Sequence, residues 1–105
     1  MKISEIDIFK NFKSSKTRII RSYKFRKKNL KIIEVELFGN NDDYIRFSLD
    51  VEIVNTSEIK LASKFIVIAT GHKLPQVVTV DEPELINKLI QDIQEDTNDS
   101  QTITN

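Results

Sequence analysis

The sequence contains no cysteine, so disulfide bonds and thiolate metal sites are excluded. It has two glycines, and neither a Walker pattern nor a GxGxxG pattern occurs. A nucleotide cradle built from backbone amides is therefore not expected. One histidine leaves few ways to build a catalytic or metal-binding constellation. We expect no cofactor, no metal and no enzymatic activity.

Long apolar runs are also missing. The longest strongly apolar run, residues 65–69, is far shorter than the ~20 residues that a transmembrane helix needs. Glu5 and Asp7 stand where a signal peptide would have its apolar stretch. We therefore expect a soluble cytoplasmic protein with no membrane partner, in which a single hydrophobic core holds one domain together.

Carboxylates are absent between Asp7 and Glu34, a segment that holds ten Lys and Arg residues. Residues 1–31 carry 11 basic and 2 acidic residues, whereas residues 32–105 carry 5 basic and 14 acidic ones. The zero net charge is therefore the sum of two opposite halves, which predicts a cationic pole and an anionic pole on the folded protein. Such asymmetry points to an anionic partner, or to a basic face that balances the acidic remainder of the same molecule.

The apolar pattern predicts a mainly β (α+β) fold, because apolar and polar residues alternate through most of the chain. The clearest example runs from Ile45 to Ile53, with five apolar residues at every second position. A polar Gly-Asn-Asn-Asp-Asp turn at 39–43 precedes it and predicts a hairpin. We expect a small antiparallel sheet or partly open barrel of four to five strands, at about 18–26, 30–38, 44–54, 59–69 and 77–80. The apolar run 65–69 suits a central strand that is covered on both faces.

One C-terminal amphipathic helix is expected at about 81–95. Asp81 is its predicted N-cap, Glu84 stands at capping-box spacing, and Pro83 suits the first turn. Its apolar stripe should cover the sheet or a barrel mouth, or else pair with a second copy. The domain organisation follows: residues 1–16 form an arm or short helix, residues 17–95 form the β domain, and residues 96–105 form a disordered tail.

The motif Ala69-Thr70-Gly71-His72-Lys73-Leu74-Pro75 resembles the end of a strand in a family of small uncharacterised bacteriophage proteins. The order of the preceding strands is also similar, over residues 17–80. The resemblance implies a compact β fold and a phage or prophage origin, and hence a host-cell cytoplasm as the compartment. It implies no known activity.

The basic segment 10–31 contains the first candidate site. Its cations can neutralise phosphates and its aromatic residues can stack on unpaired bases, although no known nucleic-acid-binding motif is present. Ser22, Lys24 and Arg26 should share one face of a strand, opposite Tyr23 and Phe25. We expect a turn at 27–29 and a partner-binding surface formed by Lys24, Arg26, Lys27 and Lys28.

The second candidate site is the turn with Thr70, His72 and Lys73. A histidine there could act as a general acid or base, or contact a ligand phosphate beside the hydroxyl and the lysine. The alternative is structural: Gly71 would supply a turn with positive φ, and His72 would bond to the backbone.

These features favour a small phage-type interaction protein that binds and modulates a host protein or complex, with inhibition of a bacterial defence system as one role. Direct nucleic-acid binding by segment 10–31 is the alternative, and small-ligand binding at Thr70–Lys73 is the third. The acidic helix is a second possible contact surface, because clustered carboxylates can imitate DNA phosphates. A homodimer is compatible with all three functions.

Overall fold

The computed structural model describes residues 1–71 and 73–92. It confirms a mostly β fold with one C-terminal helix, and the antiparallel sheet is open rather than closed into a barrel. Two short 3-10 helices, Ile3–Glu5 and Asp7–Phe9, precede the sheet. The other elements are β1 (Ser14–Phe25), β2 (Lys28–Phe38), β3 (Tyr44–Asn55), β4 (Glu58–Leu61), β5 (Phe65–Thr70), β6 (Lys73–Thr79) and α1, described over 83–92.

The sheet has the order β1-β2-β3-β5-β6, and β4 pairs with the remaining length of β3. The single strand predicted at 59–69 is therefore two strands that share one edge of β3. Val51 pairs with Leu61 and Phe47 pairs with Ile68, so four steps along β3 correspond to seven along its partner. The three extra residues form a break after β4, where the Ala62 amide donates to the Asp50 carbonyl oxygen at 2.7 Å.

The core lies on one face of the sheet, which we call the inner face. The predicted alternation of β3 is confirmed, because Ile45, Phe47, Leu49 and Val51 are all buried. The N-terminal arm and α1 cover this face, and the α1 stripe therefore packs on the sheet. The buried residues are Ile3, Phe9, Ile33, Val35, Leu37, Ile45, Phe47, Leu49, Val51, Ile66, Ile68, Val78, Ile86, Leu89 and Ile90.

The outer face of the sheet carries no layer of described residues, which corrects one expectation. The run 65–69 was expected to be covered on both faces. Ile66 and Ile68 are indeed buried, but Phe65 and Val67 are 58% and 53% exposed. The strand therefore has one core face and one solvent face, and its outward apolar residues are not explained by packing within the described chain.

Several boundaries differ from the sequence-based ones. β1 begins at Ser14, four residues before the expected start, because its first residues pair with the end of β2 at Phe38. β6 begins at Lys73 rather than at Val77, because Lys73 pairs with Thr70 across the preceding turn. The predicted helix residues after 92 and the predicted tail 96–105 lie outside the described residues.

The predicted N-cap role of Asp81 is replaced by a contact with the N-terminal arm. Its carboxylate accepts hydrogen bonds from the Ser4 amide at 3.1 Å and from the Ser4 hydroxyl at 2.5 Å. These bonds lower the pKa of Asp81, the Ser4 hydroxyl being the largest cause. The contact joins residues 77 positions apart in the sequence, so it fastens the arm to the start of α1.

We predict that Ser4→Ala raises the pKa of Asp81 towards its ordinary value of about 3.9. A carboxyl whose pKa is lowered in the folded state stabilises the protein above the unfolded-state pKa, and this stabilisation disappears as pH falls through the folded-state pKa. NMR titration of the Asp81 carboxyl carbon measures the shift directly. Ser4→Thr, which keeps the hydroxyl, is the control, and an unchanged titration in Ser4→Ala would disprove the assignment.

Candidate functional site

The β1–β2 hairpin turns at Arg26 and Lys27, one residue earlier than predicted. Both residues have positive φ, 51° and 68°. This is the pattern of a type I′ turn, which suits the twist of a hairpin but is normally built from Asn and Gly. A side chain with a Cβ costs about 1–2 kcal/mol in this conformation. The hairpin therefore keeps two long cationic side chains at positions where the backbone disfavours them.

The turn gathers the four predicted partner-binding residues at one end of the sheet. We call Lys24, Arg26, Lys27 and Lys28 the cationic hairpin. Of these, Lys28 alone has an ion pair among the described residues, with its Nζ 3.9 Å from Glu52 Oε1. Both partners are partly exposed, and pairs of this kind contribute only ~0–1 kcal/mol. Most of the charge is therefore available to an external partner.

Two aromatic rings lie on the outer face next to the cationic hairpin. Phe25 is 58% exposed, and the Arg26 guanidinium carbon lies 5.2 Å from its ring centroid. The predicted alternation is confirmed for β1: Tyr23 and Phe25 pair with Leu30 and Lys28 on the outer face, whereas Ser22 and Lys24 lie on the inner side. Arg26 itself belongs to the turn and to neither face.

Tyr23 ties the hairpin to the middle of the sheet. Its hydroxyl donates to the Asp50 carboxylate, with distances of 3.1 Å and 3.3 Å to the two oxygens. Partial burial and this carboxylate raise the pKa of Tyr23, although Arg21, whose guanidinium carbon is 5.2 Å from the ring centroid, acts in the opposite direction. This hydrogen bond reaches across β2 and links the hairpin to β3.

The expectation of two separate charge poles is wrong for the outer face. Arg18 lies 3.2 Å from Glu34, and Arg46 lies 3.8 Å from Glu36. These pairs arise because the antiparallel registers place acidic positions of β2 directly opposite Arg18 of β1 and Arg46 of β3. The two signs therefore alternate on the outer face of β1–β3. In the described part of the chain, the cations of β1–β3 and their turn that have no ion pair lie in β1, at the turn and at Lys31.

The second predicted site lies elsewhere. Thr70 pairs with Lys73, and His72 lies outside the described residues, so ligand binding at Thr70, His72 and Lys73 stays a prediction. Gly71 does not have the positive φ that was expected of it. Gly71 instead allows the Tyr44 ring to lie close to the backbone, since an added Cβ would lie 2.9 Å from Tyr44 Cε1.

The two candidate sites are at opposite ends of β3. Ile53 pairs with Asn29, which is the residue after Lys28 of the cationic hairpin. Arg46 pairs with Ala69, which is the residue before Thr70. Arg46 and Ile53 are seven positions apart along the extended strand, or about 23 Å. A single small ligand cannot contact both sites, so each must be judged separately.

Sequence reasoning missed an apolar patch on the outer face of β5 and β6. Val67 and Val77 pair directly across the two strands and are 53% and 62% exposed. A shallow groove of about 490 Å³ is lined in part by Val67, Ile32, Phe65 and Pro75. A signal was present for Val67, which belongs to the apolar run 65–69, but that run is predicted above to be covered on both faces.

Comparisons with protein-family models, with curated proteins and with solved structures find no match to this chain. Among the described residues, no helix is long and apolar enough to cross a membrane. In the same part of the chain, no group of three or more His, Asp or Glu side chains is placed to hold a metal ion. The site is therefore interpreted from its own geometry.

The unusual turn gives a testable prediction about stability. Replacing Arg26 and Lys27 together by Asn and Gly should stabilise the protein by about 1–2 kcal/mol, because the left-handed strain is relieved. Thermal unfolding followed by circular dichroism should show a rise in Tm of several degrees. Lys24→Asn removes a neighbouring cation without altering the turn and should give no such rise. An unchanged or lower Tm in the double variant would contradict the turn geometry.

Proposed function

We propose that this protein is an interaction module that binds an anionic surface of a partner protein through the cationic hairpin. The observation that carries the proposal is the convergence of four cations at one end of the sheet, three of them without an ion pair among the described residues. A solvated face with no partner would gain nothing from Arg26 and Lys27 at strained positions, where Asn and Gly would fit better.

The small free energy of exposed ion pairs limits the role that these charges can have. Exposed ion pairs contribute ~0.2–1 kcal/mol each, so the cationic hairpin alone cannot hold a partner tightly. Complementary charge instead steers the encounter and fixes orientation. Affinity must come from apolar contacts, and the exposed side chains of Phe25, Ile19 and Ile20 lie on the same strand. Charges for orientation beside apolar groups for affinity are the usual composition of a protein interface.

The resemblance to bacteriophage proteins suggests that the partner belongs to the host cell. A role as an inhibitor of a bacterial defence system stays a prediction within this proposal. It requires that the partner present an acidic surface to the cationic hairpin.

The charge proposal is tested by reversing two cations that have no ion pair among the described residues, in the variant Lys24→Glu/Lys27→Glu. The wild-type protein, immobilised in host lysate at low salt, should retain a partner that mass spectrometry identifies. The variant should lose this partner, because reversal replaces attraction by repulsion. Lys64→Glu/Lys88→Glu is the matched control, since both side chains are exposed and the change in net charge is equal. Equal retention by both variants would disprove the role of the cationic hairpin.

One observation favours nucleic acid as the second candidate. Phe25 is exposed beside Arg26, and an aromatic ring among cations is the arrangement that stacks on unpaired bases. Tyr23 is less suited to stacking, because it is half-buried and its hydroxyl is engaged by Asp50.

The nucleic-acid function is tested by fluorescence anisotropy with a labelled single-stranded oligonucleotide at 50 and 200 mM salt. Binding should weaken with salt, with a slope of about −0.7 per phosphate contact. Phe25→Ala should cost about 1–3 kcal/mol of binding free energy if the ring stacks on a base. Phe65→Ala removes an equally exposed ring elsewhere on the outer face and should have no effect. Absence of binding at the lower salt concentration would eliminate this candidate.

A further inference from the structure

The two edges of the sheet differ in how they meet solvent. The β6 edge is obstructed: Pro75 has no amide to donate, and the Thr79 amide donates to the Met1 carbonyl oxygen at 3.0 Å. The β1 edge has no proline, and within the described part of the chain β1 pairs with β2 alone. All its residues are exposed except Thr17 and Tyr23, which are half-buried. β1 therefore offers an open edge to another strand.

The usable part of this edge is Arg21–Phe25. A bulge at Ile20 interrupts the β1–β2 register, and the pairing is regular from there to the turn. In a two-residue hairpin the pair flanking the turn, here Phe25 and Lys28, exchanges hydrogen bonds, and bonded and non-bonded pairs then alternate. The backbone groups of Ser22 and Lys24 therefore point away from β2. This edge is about 17 Å long, the length of a typical strand.

The side chains along this edge select what can pair with it. β1 contains four cations and no carboxylate: Lys16, Arg18, Arg21 and Lys24. A second copy pairing through β1 would bring cations against cations, which is destabilising across strands. A strand with carboxylates at the matching positions would be attracted instead. The charge that prevents self-pairing therefore favours an acidic strand.

We infer that an extended acidic segment of a partner protein pairs with Arg21–Phe25 as an additional strand of the sheet. Its backbone bonds to the outward groups of Ser22 and Lys24. Its carboxylates face Arg21 on the outer face and Lys24 on the inner side. Phe25 and Ile20 provide apolar contacts at the two ends of the segment. The inference rests on the proposed function and specifies the chemistry of the partner: an edge-pairing acidic peptide rather than an acidic folded surface.

The test separates backbone pairing from charge. Ser22→Pro removes the outward amide without changing the charge or a bond to β2, and Ser22→Ala keeps the amide. The probe is a short labelled peptide of valines with two glutamates three positions apart, so that one carboxylate faces Arg21 on the outer face and the other faces Lys24 on the inner side. Fluorescence anisotropy measures its affinity. Ser22→Pro should weaken binding about tenfold through loss of backbone bonds, whereas Ser22→Ala should bind as the wild type does. Bound peptide should also slow the amide hydrogen exchange of Ser22 and Lys24.

A second measurement avoids dependence on one variant. The same peptide with alternate N-methylated residues keeps its charge but cannot form a ladder, and it should bind the wild type weakly. Equal binding of both peptides, or full affinity in Ser22→Pro, would overturn the inference. If Lys24→Glu/Lys27→Glu still loses binding in that case, the proposed function survives without edge pairing. If that charge reversal also has no effect, both the edge-pairing inference and the proposed function are disproved. If an oligonucleotide displaces the peptide from the wild type, and the Ser22→Pro variant binds that oligonucleotide with full affinity, nucleic acid is favoured as the ligand instead.

Discussion

The structure depends on burying one face of its sheet under two segments that are remote in sequence. Phe9 of the arm contacts Phe47 with ring centroids 5.1 Å apart, and Ile86 of α1 is fully buried against the same face. Each such side chain contributes about 1.5–3 kcal/mol when it leaves water. The same burial fixes the strand register, because a slip by one residue would move β3's Arg46 and Asp50 into the core. No polar residue is buried in the described chain.

This one-sided core leaves the outer face and the edges available for other uses. On the outer face, ion pairs such as Arg18–Glu34 satisfy most charges of β1–β3. Among the described residues of the β1–β2 hairpin, the cations without an ion pair lie at the turn formed by Arg26 and Lys27, along β1 and at Lys31. Packing within the described chain does not require them there, and the turn is strained to hold Arg26 and Lys27. This is why we assign the partner contact to the hairpin and the adjacent edge rather than to the histidine turn.

The sequence predicted what local periodicity controls. The β2–β3 hairpin and the α1 stripe followed from alternation and helical spacing, and the four hairpin cations were identified as a group. It did not predict features set by distant contacts. Asp81 looked like an N-cap because its competitor, Ser4, is 77 positions away. The turn was misplaced by one residue because Arg and Lys have no preference for positive φ. The alternation of positive and negative charges on the outer face could not be predicted, because it depends on the register of β1 against β2, and composition carries no information about register.

One measurement tests the central claim, that the described residues cover the sheet on its inner face only. A soluble paramagnetic agent broadens NMR signals of methyl groups in proportion to their exposure. The account predicts strong broadening for Val67 and Val77 and almost none for Leu49 and Ile86. Protection of Val67 and Val77 equal to that of Leu49 would mean that a second layer covers the outer face. That result would contradict the one-sided core. The roles assigned to the open β1 edge and to the cationic hairpin depend on this core.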